Sequence, residues 1–183
     1  EGSPPPTLDD WIPVSQLLSL CENEARTLAA SLLPTGTTPL VLEFPTAEQL
    51  AQAGEVAGIA AELHSALSNL INNAVRYTPA GGRVTVTWLM QADGRARFAV
   101  RDTGTGIAPA HLPRLTERFY RADRSRSRDT GGTGLGLAIV KHALQRHGAE
   151  LHISSQLGKG SEFAVTWPAQ RLRAPSPLAQ AEA

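Results

Sequence analysis

The chain is poor in the features that mark secreted, membrane-spanning and nucleic-acid-binding proteins. Its 183 residues include a single cysteine, Cys21, so no disulfide can form within the chain, which suits a reducing compartment. No apolar run approaches the roughly 20 residues that are needed to cross a bilayer, and no signal peptide is visible. Lysine plus arginine equals aspartate plus glutamate at 17 each, so no excess charge favours nucleic acid as a partner. We therefore expect a soluble cytoplasmic domain.

Two common phosphate-binding motifs are missing as well. Gly132, Gly134 and Gly136 follow a G-x-G-x-G pattern, which differs from the dinucleotide fingerprint G-x-G-x-x-G, and no P-loop Gly-Lys-Ser/Thr follows them. Yet this glycine-rich segment passes without a break into an amphipathic helix. Glycines let a ligand approach the main chain, and the helix N-terminus offers unpaired N–H groups to an anion. The segment predicts a phosphate site, with a mobile surface loop as the alternative.

Length and composition are those of one globular domain. Hydrophobic residues make up 42% of the chain, which is enough for one sizeable core and short of two domains. Residues 1–13 are proline-rich and predict a linker, whereas residues 169–183 predict a flexible tail of low hydrophobicity. The folded body is therefore expected to span residues 14–168.

Hydrophobic periodicity predicts an α+β fold. Helical spacing runs through residues 15–32, 59–78 and the segment after the glycines, which is expected to end at Gly148. A short strand is expected at 39–44, and alternating patterns predict hairpins at 83–102 and 150–168, the first with an Asp93-Gly94 turn. Such an order predicts a two-layer sandwich, in which helices cover one face of a mixed, mostly antiparallel sheet.

The helix at 59–78 carries an unusual polar face. Its apolar stripe consists of Leu63, Leu67, Leu70, Ile71 and Ala74. On the opposite side Asn69, Asn73 and Arg76 recur at i, i+4 and i+7, with Tyr77 beside them. Asparagine disfavours helix, and its neutral amide oxygen can ligate Mg²⁺ between protein and phosphates. An ordinary solvated face remains the alternative.

Asp102 is placed where a predicted strand ends and a glycine turn begins. Gly104 and Gly106 follow it and allow close approach of a planar ligand. A desolvated carboxylate there would accept a hydrogen bond from the amino group of adenine and would repel the carbonyl of guanine. A turn-initiating aspartate explains the same residues without a ligand.

Five segments in one order resemble the motif boxes of sensor histidine kinases. They are "LHSALSNLINNAVRYT", "RDTGTGI", "RLTERFYRADRSRS", "GGTGLGLAIV" and "GKGSEF", similar to the N, G1, F, G2 and G3 boxes. The resemblance covers nearly the whole predicted body and extends to the phosphate-regulon sensor kinases. It implies a catalytic domain of the Bergerat fold, shared with DNA gyrase and related ATPases, which binds ATP or ADP.

The resemblance implies roles for residues of the asparagine helix. Asn73 matches the Mg²⁺ ligand of the family, and Asn69 lies one turn earlier near metal and phosphates; both are implied to be catalytic. Arg76 and Tyr77 match positions that contact phosphate and flank the adenine. Relatives that hydrolyse ATP place a glutamate at the position of Asn69. Since an amide cannot take a proton from water, we expect transfer of the phosphate instead of hydrolysis.

Further roles follow from the other boxes. Asp102 matches the carboxylate that binds the adenine amino group, in a pocket shaped by Gly104, Gly106 and Ile107. Arg118 and Arg121 are implied to stabilise charge on the γ-phosphate, whereas a solvated basic loop explains the arginines that follow them. The implied phosphate loop consists of Gly132, Thr133, Gly134, Leu135, Gly136 and Leu137.

None of the five histidines is followed by an acidic residue, as a phosphoacceptor histidine would be. The acceptor is therefore expected on a dimerisation domain outside this chain, in a homodimeric protein of the inner membrane that passes phosphate to a response regulator. The fragment itself is expected to be monomeric and to bind no nucleic acid. A nucleotide-binding regulator without catalysis and a hydrolysing ATPase remain alternative functions.

Overall fold

The computed structural model describes residues 10–33, 35–107 and 136–175. Four α-helices are described in these ranges, namely α1 Val14–Leu32, α2 Ala47–Gln52, α3 Ala60–Tyr77 and α4 Gly136–Arg146. The first five strands are β1 Asp10–Pro13, β2 Val41–Glu43, β3 Glu55–Gly58, β4 Arg83–Met90 and β5 Ala96–Asp102. They are followed by β6 Glu150–Gln156, β7 Gly160–Trp167, a 3₁₀ turn Ala169–Arg171 and β8 Leu172–Arg173.

The larger sheet has five strands in the order β2-β4-β5-β7-β6. β2 runs parallel to β4, and the other neighbours are antiparallel. The turn between β4 and β5 contains Gly94 with φ +89°, and the carboxylate of Asp93 accepts the N–H of Arg95 at 3.0 Å. Both predicted hairpins are therefore present, and the mixed, mostly antiparallel sheet of an α+β fold is confirmed.

The helices form a layer on the inner face of this sheet, with α3 between α1 and α4. All five residues of the predicted apolar stripe on α3 are buried: Leu63, Leu67, Leu70, Ile71 and Ala74. They pack against alternate residues of the sheet, such as Val86, Phe98 and Val165. In the described ranges, no helix is both long and apolar enough to cross a membrane.

A second sheet, of three strands in the order β1-β3-β8, is not expected from the sequence. Its strands have two to four residues, which is too short for an alternating pattern to show. It is held from both ends of the chain: Arg173 lies 4.5 Å over the ring of Trp11, and its Nε donates to Glu55 at 2.6 Å. The expected body of residues 14–168 thus leaves out Asp10–Pro13 and Leu172–Arg173, which form the strands β1 and β8.

Candidate functional site

Asp102 ends β5 at the edge of the helical layer and is 7% exposed. Its Oδ1 accepts the backbone N–H of Gly104 at 2.9 Å and that of Ser161, from β7, at 3.3 Å. In the described ranges, no residue donates a hydrogen bond to its Oδ2. The site thus holds a buried carboxylate with one oxygen saturated by the main chain and one oxygen left for a further donor.

Burial raises the pKa of the Asp102 carboxyl, and the hydrogen bonds from Gly104 and Ser161 oppose this shift only in part. Desolvation disfavours the charged form because water no longer surrounds the carboxylate. A ligand group that donates to Oδ2 would replace part of the lost hydration. Asp102 therefore favours a ligand edge that presents an N–H donor to Oδ2.

The turn after Asp102 is clamped onto the β6–β7 hairpin. Gly106 has φ +75°, and a Cβ built on it would lie 2.2 Å from the carbonyl oxygen of Gln156, so only glycine fits there. The N–H of Ile107 donates to Ser155 Oγ at 2.7 Å, and the N–H of Gly158 donates to the carbonyl of Thr105 at 2.7 Å. The predicted pocket residues 104, 106 and 107 are therefore held rigidly beside the carboxylate.

The polar face of α3 meets the start of α4. The Nδ2 of Asn69 donates to the carbonyl of Ser65 at 2.8 Å, which leaves Oδ1 pointing away from its own helix turn. A Cβ built on Gly136 would lie 3.9 Å from this Oδ1, so the first residue of α4 lies against Asn69. The side chain of Asn73, one turn later, is half-buried and makes no hydrogen bond to another described residue. Asn69 thus lies beside the helix end that follows the glycine segment, and Asn73 lies one turn further along the same face of α3.

Arg76 also borders the side of α3 that faces α1. With Asn72 it lines an open cleft of about 470 Å³ between α1 and α3, with Asn23, Glu24, Thr27, Leu28 and Ser31. The Nδ2 of Asn72 donates to Ser68 Oγ at 3.2 Å, and Ser68 Oγ donates to Glu24 Oε2 at 3.3 Å. The third asparagine of the helix therefore belongs to the contact with α1, and Arg76 lies between this cleft and the face that carries Asn69 and Asn73.

The sequence matches the protein family described as histidine kinase-, DNA gyrase B-, and HSP90-like ATPase over residues 58–171. The chain belongs to this family. The match begins at the end of β3 and includes Asp102, the asparagine face of α3 and the β6–β7 hairpin. The predicted family, its fold and its enzyme class, the catalytic domain of a histidine kinase, are confirmed.

Sensor kinases are similar to this ATPase domain over most of its length. It is 46% identical over 171 residues to the phosphate regulon sensor protein PhoR of Pseudomonas aeruginosa, which covers 93% of this chain and 35% of that protein. It is 45% identical over 107 residues to the sensor-like histidine kinase SenX3 of Mycobacterium tuberculosis, covering 58% of this chain and 26% of SenX3. The chain thus spans about a third of the first relative and a quarter of the second.

Solved structures resemble the domain as well. The mycobacterial sensor histidine kinase MprB matches with a TM-score of 0.71 at 23% identity, over 92% of this chain and 99% of that one, which shows the shared fold. Full-length ShkA, solved in complex with AMPPNP, matches with a TM-score of 0.70 at 27% identity, over 93% of this chain and 32% of that one. The ATPase fold and its sensor-kinase type therefore agree between sequence and structure.

A cation in this ATPase domain would be held by amide oxygens. In residues 10–33, 35–107 and 136–175, no three His, Cys, Asp or Glu side chains form a metal cluster. The amide oxygen of Asn73 is a hard donor, and Mg²⁺ commonly takes one or two protein ligands with the rest from phosphates and water. Burial raises the pKa of the Cys21 thiol to about 12, so this side chain offers neither a ligand nor a nucleophile.

Several predicted site residues lie outside the described residues: Arg118, Arg121, Gly132, Thr133, Gly134 and Leu135. Leu137 is half-buried and packs against the core, which agrees with an anchoring role, and Tyr77 is exposed at the end of α3. Two parts of the site are not predicted by the sequence pattern, namely the backbone of Ser161 and the hydroxyl of Ser155. The motif "GKGSEF" signalled this hairpin, but only the fold shows that it reaches Asp102.

Proposed function

We propose that the chain binds Mg·ATP beside Asp102, α3 and the start of α4, and that it donates the γ-phosphate to a histidine on an acceptor domain outside this chain. The observation that carries the proposal is the carboxylate of Asp102, with Oδ1 occupied by two backbone amides and Oδ2 without a described donor. The full-length relative ShkA was solved with AMPPNP, an ATP analogue, which supports the same ligand class here.

Adenine is the base that suits Asp102. Its exocyclic amino group donates where guanine presents a carbonyl oxygen, and a buried carboxylate facing that oxygen would remain unpaired. ADP shares the base and should bind as well. The nucleotide phosphates would then extend toward Asn69 and Asn73 and the N-terminus of α4, whose N–H groups favour anions.

Mg²⁺ is proposed as the cofactor, with Asn73 as its protein ligand. The amide of Asn73 has no described partner that would compete for its oxygen. When bound, Mg²⁺ neutralises charge on the β- and γ-phosphates. Asn73 orients the phosphates through that ion, and Asn69 lies close enough to Gly136 to position the phosphate loop that precedes α4.

Transfer is favoured over hydrolysis by the chemistry of Asn69. A hydrolysing ATPase needs a base that takes a proton from water, and an amide has no such capacity. The γ-phosphate is therefore transferred only when an acceptor imidazole is held in line with it. Positioning of this imidazole supplies most of the catalysis. Arg118 and Arg121 are proposed to stabilise the γ-phosphate during this step.

The partners proposed for the whole protein follow from its relatives. They are its own dimerisation and phosphoacceptor domain and the receiver domain of a response regulator. We propose a membrane-anchored homodimer with this domain in the cytoplasm, while the isolated chain is a monomer. The 46% identity to a phosphate regulon sensor protein supports a role in phosphate sensing.

Nucleotide preference tests the base site. Isothermal titration calorimetry with the chain, Mg²⁺ and either ATP or GTP should show tighter binding of ATP, by about tenfold or more, because guanine leaves the carboxylate unpaired. Equal affinities would contradict the role of Asp102.

Phosphate transfer tests the reaction. Incubation of the chain with terminally labelled ATP should give no phosphohistidine, whereas addition of the acceptor hairpin of the full-length protein should give weak acid-labile, base-stable labelling of the hairpin. Asn73→Ala should abolish most of this labelling. Asn72→Ala is the matched control, since its amide contacts Ser68 on the side of α1. Stable phosphohistidine on the chain alone, or equal effects of both variants, would refute the assignment.

A further inference from the structure

His147 is the most deeply buried of the described histidines, at 2% exposure, and it lies where α4 ends. Its Nδ1 is 2.7 Å from the carbonyl oxygen of Ala143, and its Nε2 is 3.1 Å from the backbone nitrogen of Ile59. A carbonyl only accepts and an amide N–H only donates. Nδ1 therefore carries the proton and Nε2 is the acceptor, so both ring nitrogens are used by one neutral tautomer.

The direction of this ring is set by the end of α4. Gly148 has φ +71° and donates to the carbonyl of Gln145 at 3.0 Å, while the N–H of Ala149 donates to the carbonyl of Leu144 at 2.9 Å. These two bonds form a Schellman motif, which closes the helix and aims its last side chain at the β3–α3 junction. At that junction a Cβ built on Gly58 would lie 2.4 Å from His147 Cδ2, so the main chain touches the ring directly.

The hydrogen bond joins the two helices that border the proposed nucleotide site. Ile59 immediately precedes α3, and His147 immediately follows α4. At the other end of α4, Gly136 lies against Asn69, which is near the middle of α3. The two contacts are about 15 Å apart along each helix, at 1.5 Å per residue. The bond at Ile59 therefore adds a directional contact, beyond apolar packing, that helps to fix how far α4 lies along α3.

We infer that His147 is a positioning residue for the nucleotide site, which acts by fixing the register of α4 on α3 through its hydrogen bond to Ile59. The inference rests on the proposed function, since it assigns to His147 the placement of Gly136 over Asn69. His147 does not touch the nucleotide. Loss of the bond lets α4 slide or rotate, which misaligns the first N–H groups of α4 with the phosphates.

Two amide substitutions separate this role from simple packing. In His147→Gln the longer side chain places an acceptor oxygen near the position of Nε2, so the bond to Ile59 can be kept. In His147→Asn the shorter side chain reaches only the position of Nδ1, so the bond within α4 can be kept and the bond to Ile59 is lost. Binding of Mg²⁺ with a non-hydrolysable ATP analogue is measured by calorimetry, well below the melting temperature of each variant.

We expect His147→Asn to weaken analogue binding about fivefold or more, because the first N–H groups of α4 are no longer aligned with the phosphates, and His147→Gln to stay within about twofold of the parent chain. Arg146→Gln is the matched control, because it removes the exposed Arg146–Glu62 pair at 2.8 Å between the same helices and should have little effect. If His147→Asn fails to fold, Gly58→Ala takes its place, since the added Cβ displaces the ring from Ile59.

Equal weakening by Asn and Gln, or no weakening by either, would overturn the positioning role. Faster amide exchange at Ile59 in His147→Asn but not in His147→Gln should accompany the loss of affinity, and unchanged exchange would also overturn it. A parent chain that binds no analogue would refute the proposed function itself, and that result is obtained before any variant is made.

Discussion

The two ends of the β5–β7 ladder are built from the same two strands but from opposite kinds of residue. At one end Ala96 pairs with Trp167, which is fully buried and lies 6.0 Å from the ring of Trp88. At the other end Asp102 pairs with Ser161, and a buried carboxylate collects backbone N–H groups. The closed end, at Trp167, is buried and apolar. The polar end, at Asp102, has one carboxylate oxygen without a described hydrogen-bond donor.

This difference separates stability from binding along a single pair of strands. The indole N–H groups of Trp88 and Trp167 have no hydrogen-bond partner in the described ranges, so their contribution comes from buried area. The carboxylate of Asp102 has raised pKa and therefore opposes folding when it is charged. Substitutions at the closed end should change the free energy of unfolding, whereas substitutions at the polar end should change nucleotide affinity.

Trp167→Ala should give the largest effect, a loss of about 3–5 kcal/mol in the free energy of unfolding, because it leaves a cavity in the core. Trp167→Phe is the matched control and should cost less than half of this, since it keeps most of the area and removes the unpaired N–H. Urea denaturation of both variants measures the difference. Equal losses would show that the indole nitrogen has a partner that matters.

The turn between β6 and β7 offers a pair of glycines that sharpens the comparison. Both Gly158 and Gly160 have positive φ, at +82° and +134°, but a Cβ on Gly160 would lie 2.0 Å from the carbonyl oxygen of Asp102. A Cβ on Gly158 would meet nothing within 4 Å. Gly158→Ala should therefore cost about 1 kcal/mol of stability and leave ATP affinity unchanged.

Gly160→Ala should cost about 2–3 kcal/mol, the sum of the strained φ and a main-chain clash, and should also weaken ATP binding because it displaces Asp102. Thermal unfolding and calorimetry on the same preparations test both parts. Unchanged ATP affinity in Gly160→Ala would mean that the hairpin does not support the carboxylate.

Asp102→Asn should weaken ATP binding by about 1–3 kcal/mol, since the amide replaces an acceptor partly by a donor. Its stability at neutral pH should be unchanged or higher, because the charged carboxylate is removed from a buried place. Asp93→Asn, in the exposed turn at the other end of β5, is the control and should leave affinity unchanged. A large loss of stability in Asp102→Asn would contradict the conclusion that the polar end serves nucleotide binding and the closed end serves stability.

The same residue predicts a pH dependence. Burial raises the pKa of Asp102, so protonation sets in at a higher pH than for an ordinary aspartate. ATP affinity should therefore fall as the pH is lowered through this raised pKa, because a proton on Oδ2 turns the acceptor that faces the adenine amino group into a donor. Calorimetry of the parent chain and of Asp102→Asn across this range should show the fall in the parent chain alone; parallel curves would assign it to another group.

The smallest effect is expected on the outer face of the sheet, between the two ends. Burial would raise the pKa of Glu162, but hydrogen bonds from Arg97 at 2.7 Å and Arg101 at 3.0 Å outweigh it and lower the pKa. Glu162→Gln should cost about 1 kcal/mol or less at neutral pH. Because the folded pKa is depressed, this difference should vanish as the pH falls through it. Glu150→Gln, at an exposed position of the neighbouring strand β6, is the control and should leave the free energy of unfolding unchanged in the same denaturation experiment.

Most elements could be predicted from the sequence because their signals are local. Leu63, Leu67 and Ile71 repeat at helical spacing and are buried, and Gly148 stands where α4 is capped. The strands β1, β3 and β8 could not be predicted, because each is short and is defined by pairing with residues far away in the chain. Helical spacing likewise puts Arg76 near both Asn72 and Asn73, but only the position of α1 shows that a cleft opens beside it.

By itself the sequence determined the family, the order of the three long helices, β2 and the two hairpins, and the chemistry of the candidate site, since periodicity and motif spacing are properties of neighbouring residues. Only the tertiary structure decided which side chains meet. Ser161 reaches Asp102 through the pairing of β5 with β7, and His147 reaches Ile59 through the packing of α4 on α3. Both contacts join residues that are far apart in the chain, and their geometry depends on strand register and helix packing, which no local pattern encodes.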